Sequence, residues 1–189
     1  MRGGFLLKTP SFCAIVVMRG DFMGNLEIER KFVIELPNFE KMREMSGYAF
    51  SDIMQVYMKT VNGVSHRIRK RDGASGTVYT ETKKTRIDEM TALEQECEIE
   101  KERYEELYSL RDETLRVITK RRHVFEYMGQ LFEIDVYPEW QRSCIMETEL
   151  KSKSQFPQIP DFISIVRDVT GIREYTNHSM ARTFPKEII

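Results

Sequence analysis

The sequence predicts an α+β fold that is mainly β, an eight-stranded antiparallel barrel that closes on itself and carries helices on its outside. Two observations predict the strands, and the charge pattern and the family resemblance described below predict that they close into a barrel. From Leu26 onward, segment after segment alternates two residue classes with a period of two, which is typical of strands. Turn signals such as Asn62-Gly63 and Met128-Gly129 separate several of these segments. The chain has 189 residues, a length that favours one domain at roughly 150 residues per domain.

Each element follows from a local pattern. Asn38 is a suitable cap for a first helix that carries Phe39 and Met42, and the helical spacing of Tyr104 and Leu107 predicts a second helix. A polar stretch at 175–179 predicts the start of a short last helix. Residues 1–24 show no period and are predicted to be an N-terminal extension, whereas residues 25–189 are predicted to form a single domain. The predicted strands are 26–34, 52–59, 65–71, 77–84, 94–100, 116–124, 130–137 and 144–151.

Composition excludes several classes of partner and compartment. The 29 Lys and Arg residues balance 30 Asp and Glu residues, so the chain has no global basic field to attract nucleic acid or an anionic membrane. Three widely spaced cysteines form neither a disulfide framework nor a zinc site. The apolar run at 13–18 is too short to span a membrane, and Lys8 and Pro10 interrupt any signal-peptide core. We therefore expect a cytoplasmic protein that binds neither nucleic acid nor membranes.

The charged residues of the strands form doublets of one sign on one face. Residues i and i+2 of a strand share a face, and a solvent-exposed face normally mixes signs because like charges repel. We therefore predict that the doublets point into a closed, water-containing barrel, since unpaired charges would be too costly in a dry core. The negative set is Glu27, Glu29, Glu96, Glu98, Glu133, Asp135, Glu147 and Glu149, and the positive set is Lys31, Arg67, Arg69, Lys84, Lys120 and Arg122.

The two sets of charges suggest one kind of ligand. Lysine and arginine clusters bind phosphate oxygens, and clustered carboxylates bind hard cations such as Mg²⁺ or Mn²⁺. Together they suit a metal-bound polyphosphate. The sequence contains neither a G-x-x-x-x-G-K-[ST] loop nor a G-x-G-x-x-G loop, so the usual nucleotide sites are not expected.

The segment Glu27-Ile28-Glu29-Arg30-Lys31 resembles the E-x-E-x-K motif of the CYTH superfamily, the triphosphate tunnel metalloenzymes. The resemblance covers about residues 26–182 and includes a valine, Val56, where relatives often have glycine. Further matching segments follow in the same order: Gln55-Val56-Tyr57, Arg67-Ile68-Arg69, Thr82-Lys83-Lys84, Glu96-Cys97-Glu98, Lys120-Arg121-Arg122, Glu133-Ile134-Asp135, Glu147-Thr148-Glu149, and Val169-Thr170-Gly171 to Tyr175-Thr176-Asn177.

The resemblance implies an eight-stranded tunnel that binds a triphosphate and Mg²⁺ or Mn²⁺. The strand-4 lysine is assigned to Lys84, which shares a face with Thr80 and Thr82. Lys31, Glu27 and Glu29 are the expected catalytic residues, with Lys31 orienting water or separating carboxylates. The expected substrate ligands are Arg67, Arg69, Lys84, Lys120, Arg122 and Arg173, the last in place of a common lysine. The expected metal ligands are Glu27, Glu29, Glu133, Asp135, Glu147 and Glu149, and Glu96 and Glu98 are further tunnel residues.

On this basis the expected function is a divalent-metal-dependent triphosphatase that acts on inorganic triphosphate or on a triphosphorylated organic substrate. A small-molecule triphosphate is therefore the expected partner. A class IV adenylyl cyclase, which converts ATP to cyclic AMP, is an alternative, as is a polyphosphate-binding module without catalysis. The sequence also leaves a homodimer open.

Overall fold

The computed structural model describes residues 25–189, and the predicted extension at 1–24 lies outside them. No helix among the described residues is long and apolar enough to cross a membrane. The strands are β1 (Asn25–Glu35), β2 (Ser46–Tyr57), β3 (Ser65–Gly73), β4 (Gly76–Arg86), β5 (Thr91–Glu98), β6 (Ile118–Tyr127), β7 (Gln130–Val136), β8 (Ser143–Glu149) and β9 (Ile165–Asp168). The helices are α1 (Phe39–Arg43), α2 (Lys101–Ser109) and α3 (Asn177–Arg182).

The first eight strands form a closed antiparallel barrel in the order β5-β4-β3-β2-β6-β7-β8-β1, as predicted. Strand β1 closes the ring because it has a neighbour on each side. Its second half pairs with β8, from Glu29 opposite Glu149 to Glu35 opposite Ser143. Its first half pairs with β5, where Asn25 is opposite Glu94. Each of these eight strands therefore has a barrel neighbour on both sides, although β5 covers only Asn25–Ile28 of β1.

Strand β9 was not predicted. It pairs with β1 over Phe32–Ile34, beyond the point where β5 ends. Only four residues long and exposed throughout, β9 carries no alternating pattern of the kind that marks the barrel strands. Its pairing therefore depends on the free edge that β1 offers, which is a feature of the tertiary structure.

Apolar residues on the outer face of the barrel are covered by α1 and α2. Asn38 caps α1, because its side-chain oxygen accepts hydrogen bonds from the backbone N–H groups of Glu40 and Lys41 at 3.0 and 3.1 Å. The outer cluster that includes Met42 of α1 contains Phe32, Ile34, Phe125, Phe132, Ile134, Cys144, Met146 and Ile163. The cluster that includes Tyr104 and Leu107 of α2 contains Val56, Met58 and Ile68.

The third helix does not pack on the barrel wall but covers one end of the barrel. Val33, Tyr57 and Ile145 are inward-facing residues, because they lie two positions from Lys31, Gln55 and Glu147. They join one apolar cluster with residues of the chain after β8. That cluster contains Val33, Tyr57, Leu115, Ile118, Tyr137, Trp140, Ile145, Val169, Tyr175, Met180 and Ala181. We call this the closed end, since it fills the barrel on one side of the charged residues.

Candidate active site

Six cationic side chains face the interior of the barrel next to the closed end. Residues opposite each other in an antiparallel pair share a face, so the strand register carries the inward face around the ring: Arg67 is opposite Thr82, which is opposite Glu96. The structure thus brings together the six predicted cations Lys31, Arg67, Arg69, Lys84, Lys120 and Arg122. Lys83, on the outer face of β4, is exposed, in agreement with the choice of Lys84.

Asp135 is the buried anchor of two of these cations. Its carboxylate is fully buried and accepts hydrogen bonds from Lys120 and from Arg122, the latter at 2.7 Å on both oxygens. Burial acts to raise the pKa of Asp135, but the two cations outweigh it and lower the pKa. Burial and the neighbouring Arg122 lower the pKa of Lys120 to about 8. Both oxygens of Asp135 are therefore engaged, and its assignment as a metal ligand stays a prediction.

Lys31 lies between two carboxylates at the junction with the closed end. Its Nζ atom is 2.6 Å from Glu147 and 4.0 Å from Glu29. It also donates a hydrogen bond of 3.5 Å to the backbone oxygen of Tyr175. Burial opposes the charged form, but Glu147 and Glu29 outweigh it and raise the pKa of Lys31. The lysine therefore remains protonated and separates the two carboxylates.

Glu94 is a site residue that the sequence analysis missed. It is buried and lies 2.8 Å from Arg67 and 2.9 Å from Lys84, which is also 2.9 Å from Glu27. Burial acts to raise the pKa of Glu94, but Arg67 and Lys84 outweigh it and lower the pKa to about 2. Glu94 shares a face with Glu96, so extending the charged doublet by two residues would have found it.

Arg69 is held differently from the other cations. Its Nε–H group donates to the side-chain oxygen of Gln55 at 2.7 Å, and the Gln55 amide nitrogen donates to the hydroxyl of Tyr57 at 2.5 Å. The nearest carboxylate, Glu96, is 3.6 Å from the Arg69 guanidinium and also accepts a 2.6 Å hydrogen bond from Thr82. The sequence analysis noted Gln55 only as part of a matching segment and gave it no role.

Four predicted metal ligands line a small cavity of about 40 Å³ between β1, β7 and β8, namely Glu29, Glu133, Glu147 and Glu149. Burial, together with Glu133 and Glu29, raises the pKa of Glu149. Burial also raises the pKa of the nearby Glu27 to about 7. Carboxylates that repel one another in this way have the chemistry of a cation site, because a divalent ion would relieve the repulsion.

The carboxylates fit a hard divalent cation by ligand type. Within residues 25–189, however, no three acidic, histidine or cysteine side chains converge tightly enough to hold a metal ion in their present arrangement. Glu147 is also held by Lys31 and Arg122, at 2.6 and 3.0 Å, and Arg122 contacts Glu133 as well. The predicted metal roles therefore stay predictions, and metal binding would require these side chains to turn toward the ion.

Two predicted site residues lie at the margin of the charged interior. Glu98 is exposed at the last position of β5, where it is opposite Thr80. Arg173 is exposed in the single 3-10 turn at 173–175. Its side chain forms no ion pair with the interior carboxylates among the described residues, although Lys31 contacts the backbone of Tyr175 in the same turn. The role of Arg173 as a substrate ligand therefore stays a prediction.

Solved structures share this architecture. The inorganic triphosphatase NE1496 is 26% identical over 85% of this chain and 97% of that protein, with a TM-score of 0.53. This chain has the fold of the CYTH superfamily. The PH1819 protein from Pyrococcus horikoshii OT3 is 25% identical over 67% of this chain and 80% of its own, again with a TM-score of 0.53. A conserved hypothetical protein from Pyrococcus furiosus is 24% identical over 68% and 80%, with a TM-score of 0.52.

No family model matches this chain, and no curated protein matches it by sequence. The resemblance to the CYTH superfamily, first seen in the E-x-E-x-K segment, is confirmed by the similarity of the three-dimensional structures. The barrel fold is the feature that carries it.

Proposed function

We propose that this protein is a divalent-metal-dependent triphosphatase. The proposal rests on one observation, the convergence of six cations and a set of carboxylates inside a barrel that is filled at one end. The fold similarity to the inorganic triphosphatase NE1496 supports a triphosphatase-type function. A chain of phosphate groups is a compact polyanion whose charge matches the six cations of this interior.

The interior cations would hold the phosphate oxygens. Arg67, Arg69 and Arg122 present guanidinium groups that bind phosphate through paired hydrogen bonds, whereas Lys84 and Lys120 act as point charges. These cations would offset the negative charge on the oxygens of the terminal phosphoryl group while it is transferred. Positioning and electrostatic stabilisation would therefore supply much of the rate of hydrolysis. Because each strand of the closed barrel is held on both sides, these groups are held in place before the substrate binds.

The carboxylates that line the cavity between β1, β7 and β8 would hold the metal. Glu29, Glu133 and Glu149 are the best placed, with Glu27 and Glu147 beside them, and Mg²⁺ or Mn²⁺ is the expected ion. Such an ion, when bound, would offset phosphate charge and increase the acidity of water. Lys31, protonated between Glu29 and Glu147, would keep these carboxylates apart and offer its one remaining N–H donor to water or a phosphate oxygen.

Inorganic triphosphate is the substrate that we propose. Tyr57 is the one aromatic ring among the inward-facing residues of the eight described barrel strands, and Tyr137 follows directly after β7; both are buried within the closed end. An adenine or thiamine ring would therefore find no exposed ring to stack on inside the described barrel. This observation favours the triphosphatase over the cyclase alternative. The many carboxylates disfavour a binding module without catalysis, because they would repel a metal-free polyanion.

The test is phosphate release from tripolyphosphate, ATP and thiamine triphosphate, each assayed with Mg²⁺, with Mn²⁺ and in excess chelator. We expect release from tripolyphosphate only when a metal is present, and much slower release from the two organic substrates. Formation of cyclic AMP from ATP should be followed in the same samples. Full activity in chelator, or cyclic AMP as the main product, would overturn the proposal.

A further inference from the structure

Gln55 is an uncharged side chain that holds an interior cation, Arg69, through its guanidinium group. It is completely buried in β2, where it is opposite Arg69 of β3. Both polar atoms of its amide are used: the oxygen accepts from Arg69 at 2.7 Å and the nitrogen donates to Tyr57 at 2.5 Å. A buried amide with both ends satisfied has a fixed orientation.

The other five interior cations each have a carboxylate much closer than Arg69 does. The separations are 2.6 Å for Lys31 and Glu147, 2.8 Å for Arg67 and Glu94, and 2.7 Å for Arg122 and Asp135. Lys84 is 2.9 Å from both Glu27 and Glu94, and Lys120 contacts Asp135 directly. Arg69 is 3.6 Å from Glu96, which is itself more exposed than the carboxylates of those five pairs.

We propose that Gln55 is a positioning residue that orients the Arg69 guanidinium without cancelling its charge, so that Arg69 is the interior cation left free for a phosphate group. A carboxylate in the place of Gln55 would orient Arg69 equally well but would compete with the anion for it. Burial and the like charges of Arg67 and Arg122 lower the pKa of Arg69, consistent with a guanidinium that lacks a full counter-charge. This inference rests on the proposed function for the identity of the anion.

The most informative variant is Gln55→Glu. It keeps nearly the same shape and can still accept from Arg69, so the barrel should fold, but it adds the missing counter-charge. We expect its affinity for tripolyphosphate to fall at least about tenfold, measured by calorimetry in chelator so that no metal or turnover contributes. Gln158→Glu adds the same charge to an exposed position and should bind as the wild type does.

A second set of variants shows whether Gln55 acts through Arg69. Gln55→Leu alone should weaken tripolyphosphate binding severalfold. Added to Arg69→Ala, it should weaken binding no further, because the effects of substitutions at coupled residues do not add. Equal losses in both backgrounds would mean that Gln55 is a structural residue and would overturn the inference. Unchanged binding by Gln55→Glu would overturn it as well.

Binding and hydrolysis separate this inference from the proposed function. If the wild type binds tripolyphosphate but releases no phosphate with any metal, the triphosphatase proposal fails, and the Gln55 variants still decide the inference by their affinities. If the wild type binds tripolyphosphate neither in chelator nor with Mg²⁺ or Mn²⁺, both proposals fail. If it binds only with a metal, the Gln55 variants are compared with Mg²⁺ by their KM for tripolyphosphate. Circular dichroism and the thermal unfolding temperature should be measured for every variant to show that each is folded.

Discussion

Individual carboxylates of the interior fall into two groups that differ in their surroundings. Glu94 and Asp135 are buried, each lies against two cations, and their pKa values are lowered. Glu149 lies near Glu133 and Glu29, and Glu27 lies near Glu94 and Glu149 although Lys84 is 2.9 Å away; the pKa values of Glu149 and Glu27 are raised, first by burial. The first group stabilises the cations of the ligand-free barrel, and the second is suited to receive a positive ion.

Glu149→Gln tests the second group. The change removes one of several mutually repelling charges, so the ligand-free protein should be as stable as the wild type or slightly more stable. An amide is a weaker ligand for Mg²⁺ or Mn²⁺, so the variant should need more metal and lose at least about tenfold in kcat, equivalent to roughly 1.4 kcal/mol. Metal titrations of phosphate release measure both effects.

Glu113→Gln is the matched control, since Glu113 is 80% exposed and pairs only loosely with Arg111. It should leave metal requirement and turnover unchanged. If Glu149→Gln behaves like this control, the assignment of the inner face of β8 to a metal is wrong.

Glu94→Gln tests the first group through the pH dependence of stability. Because the folded pKa of about 2 lies below the ordinary value, the ionised Glu94 stabilises the fold above about pH 4.5, and this contribution disappears as the pH falls toward 2. The variant should be about 2–3 kcal/mol less stable at pH 7. Its free energy of unfolding should also fall less steeply between pH 4.5 and 2.

Urea unfolding at several pH values in chelator would measure this difference. If the free energy of unfolding falls equally steeply for the variant and the wild type between pH 4.5 and 2, Glu94 is not the main partner of Arg67 and Lys84. In that case another carboxylate, such as Glu27, carries the pairing.

At the scale of elements, α3 and the closed end make this barrel different from a tube that is open at both ends. Strand alternation continues through Val33, Tyr57 and Ile145, but the inward residues change from charged to apolar, and α3 with the 3-10 turn packs over them. The Tyr137 hydroxyl donates to Asn177 of α3 at 2.7 Å, which fixes the helix on the barrel. Lys31 reaches the backbone of Tyr175 from the charged side. The closed end therefore supports the site as well as the fold.

Met180→Ala in α3 and Met42→Ala in α1 form a matched pair, since both side chains are fully buried. Each should lower the free energy of unfolding by about 2–4 kcal/mol, because each deletes a buried methionine side chain. Only Met180→Ala should also raise the KM for tripolyphosphate, since it loosens the segment that contacts Lys31. Equal kinetic effects in the two variants would mean that the closed end supports stability alone.

At the scale of the whole molecule, the barrel closes within the described residues. Strand β1 begins at Asn25 and already has both of its barrel neighbours, β5 and β8. A truncated protein that starts at Met23 should therefore keep the thermal unfolding temperature and the turnover of the full chain. A loss of several degrees, or of soluble protein, would show that residues 1–22 contribute contacts to the barrel.

The sequence by itself determined the eight barrel strands, the inward face of their charges and the cap of α1. Period-two alternation and side-chain capping are local properties, so a single segment is enough to read them. The choice of Lys84 over Lys83 followed from the same alternation. Glu94 was within reach of this argument, because it continues the doublet of Glu96.

Only the tertiary structure decided which charges neutralise one another. That Asp135 pairs with Lys120 and Arg122, and that Arg69 meets Gln55, depends on strand register and on side chains from neighbouring strands. The short β9, the exposed position of Arg173 and the placement of α3 over the barrel end depend likewise on packing between distant segments. A strand pattern specifies the face on which a residue lies, but electrostatic and apolar contacts across a barrel exist only once the ring has closed.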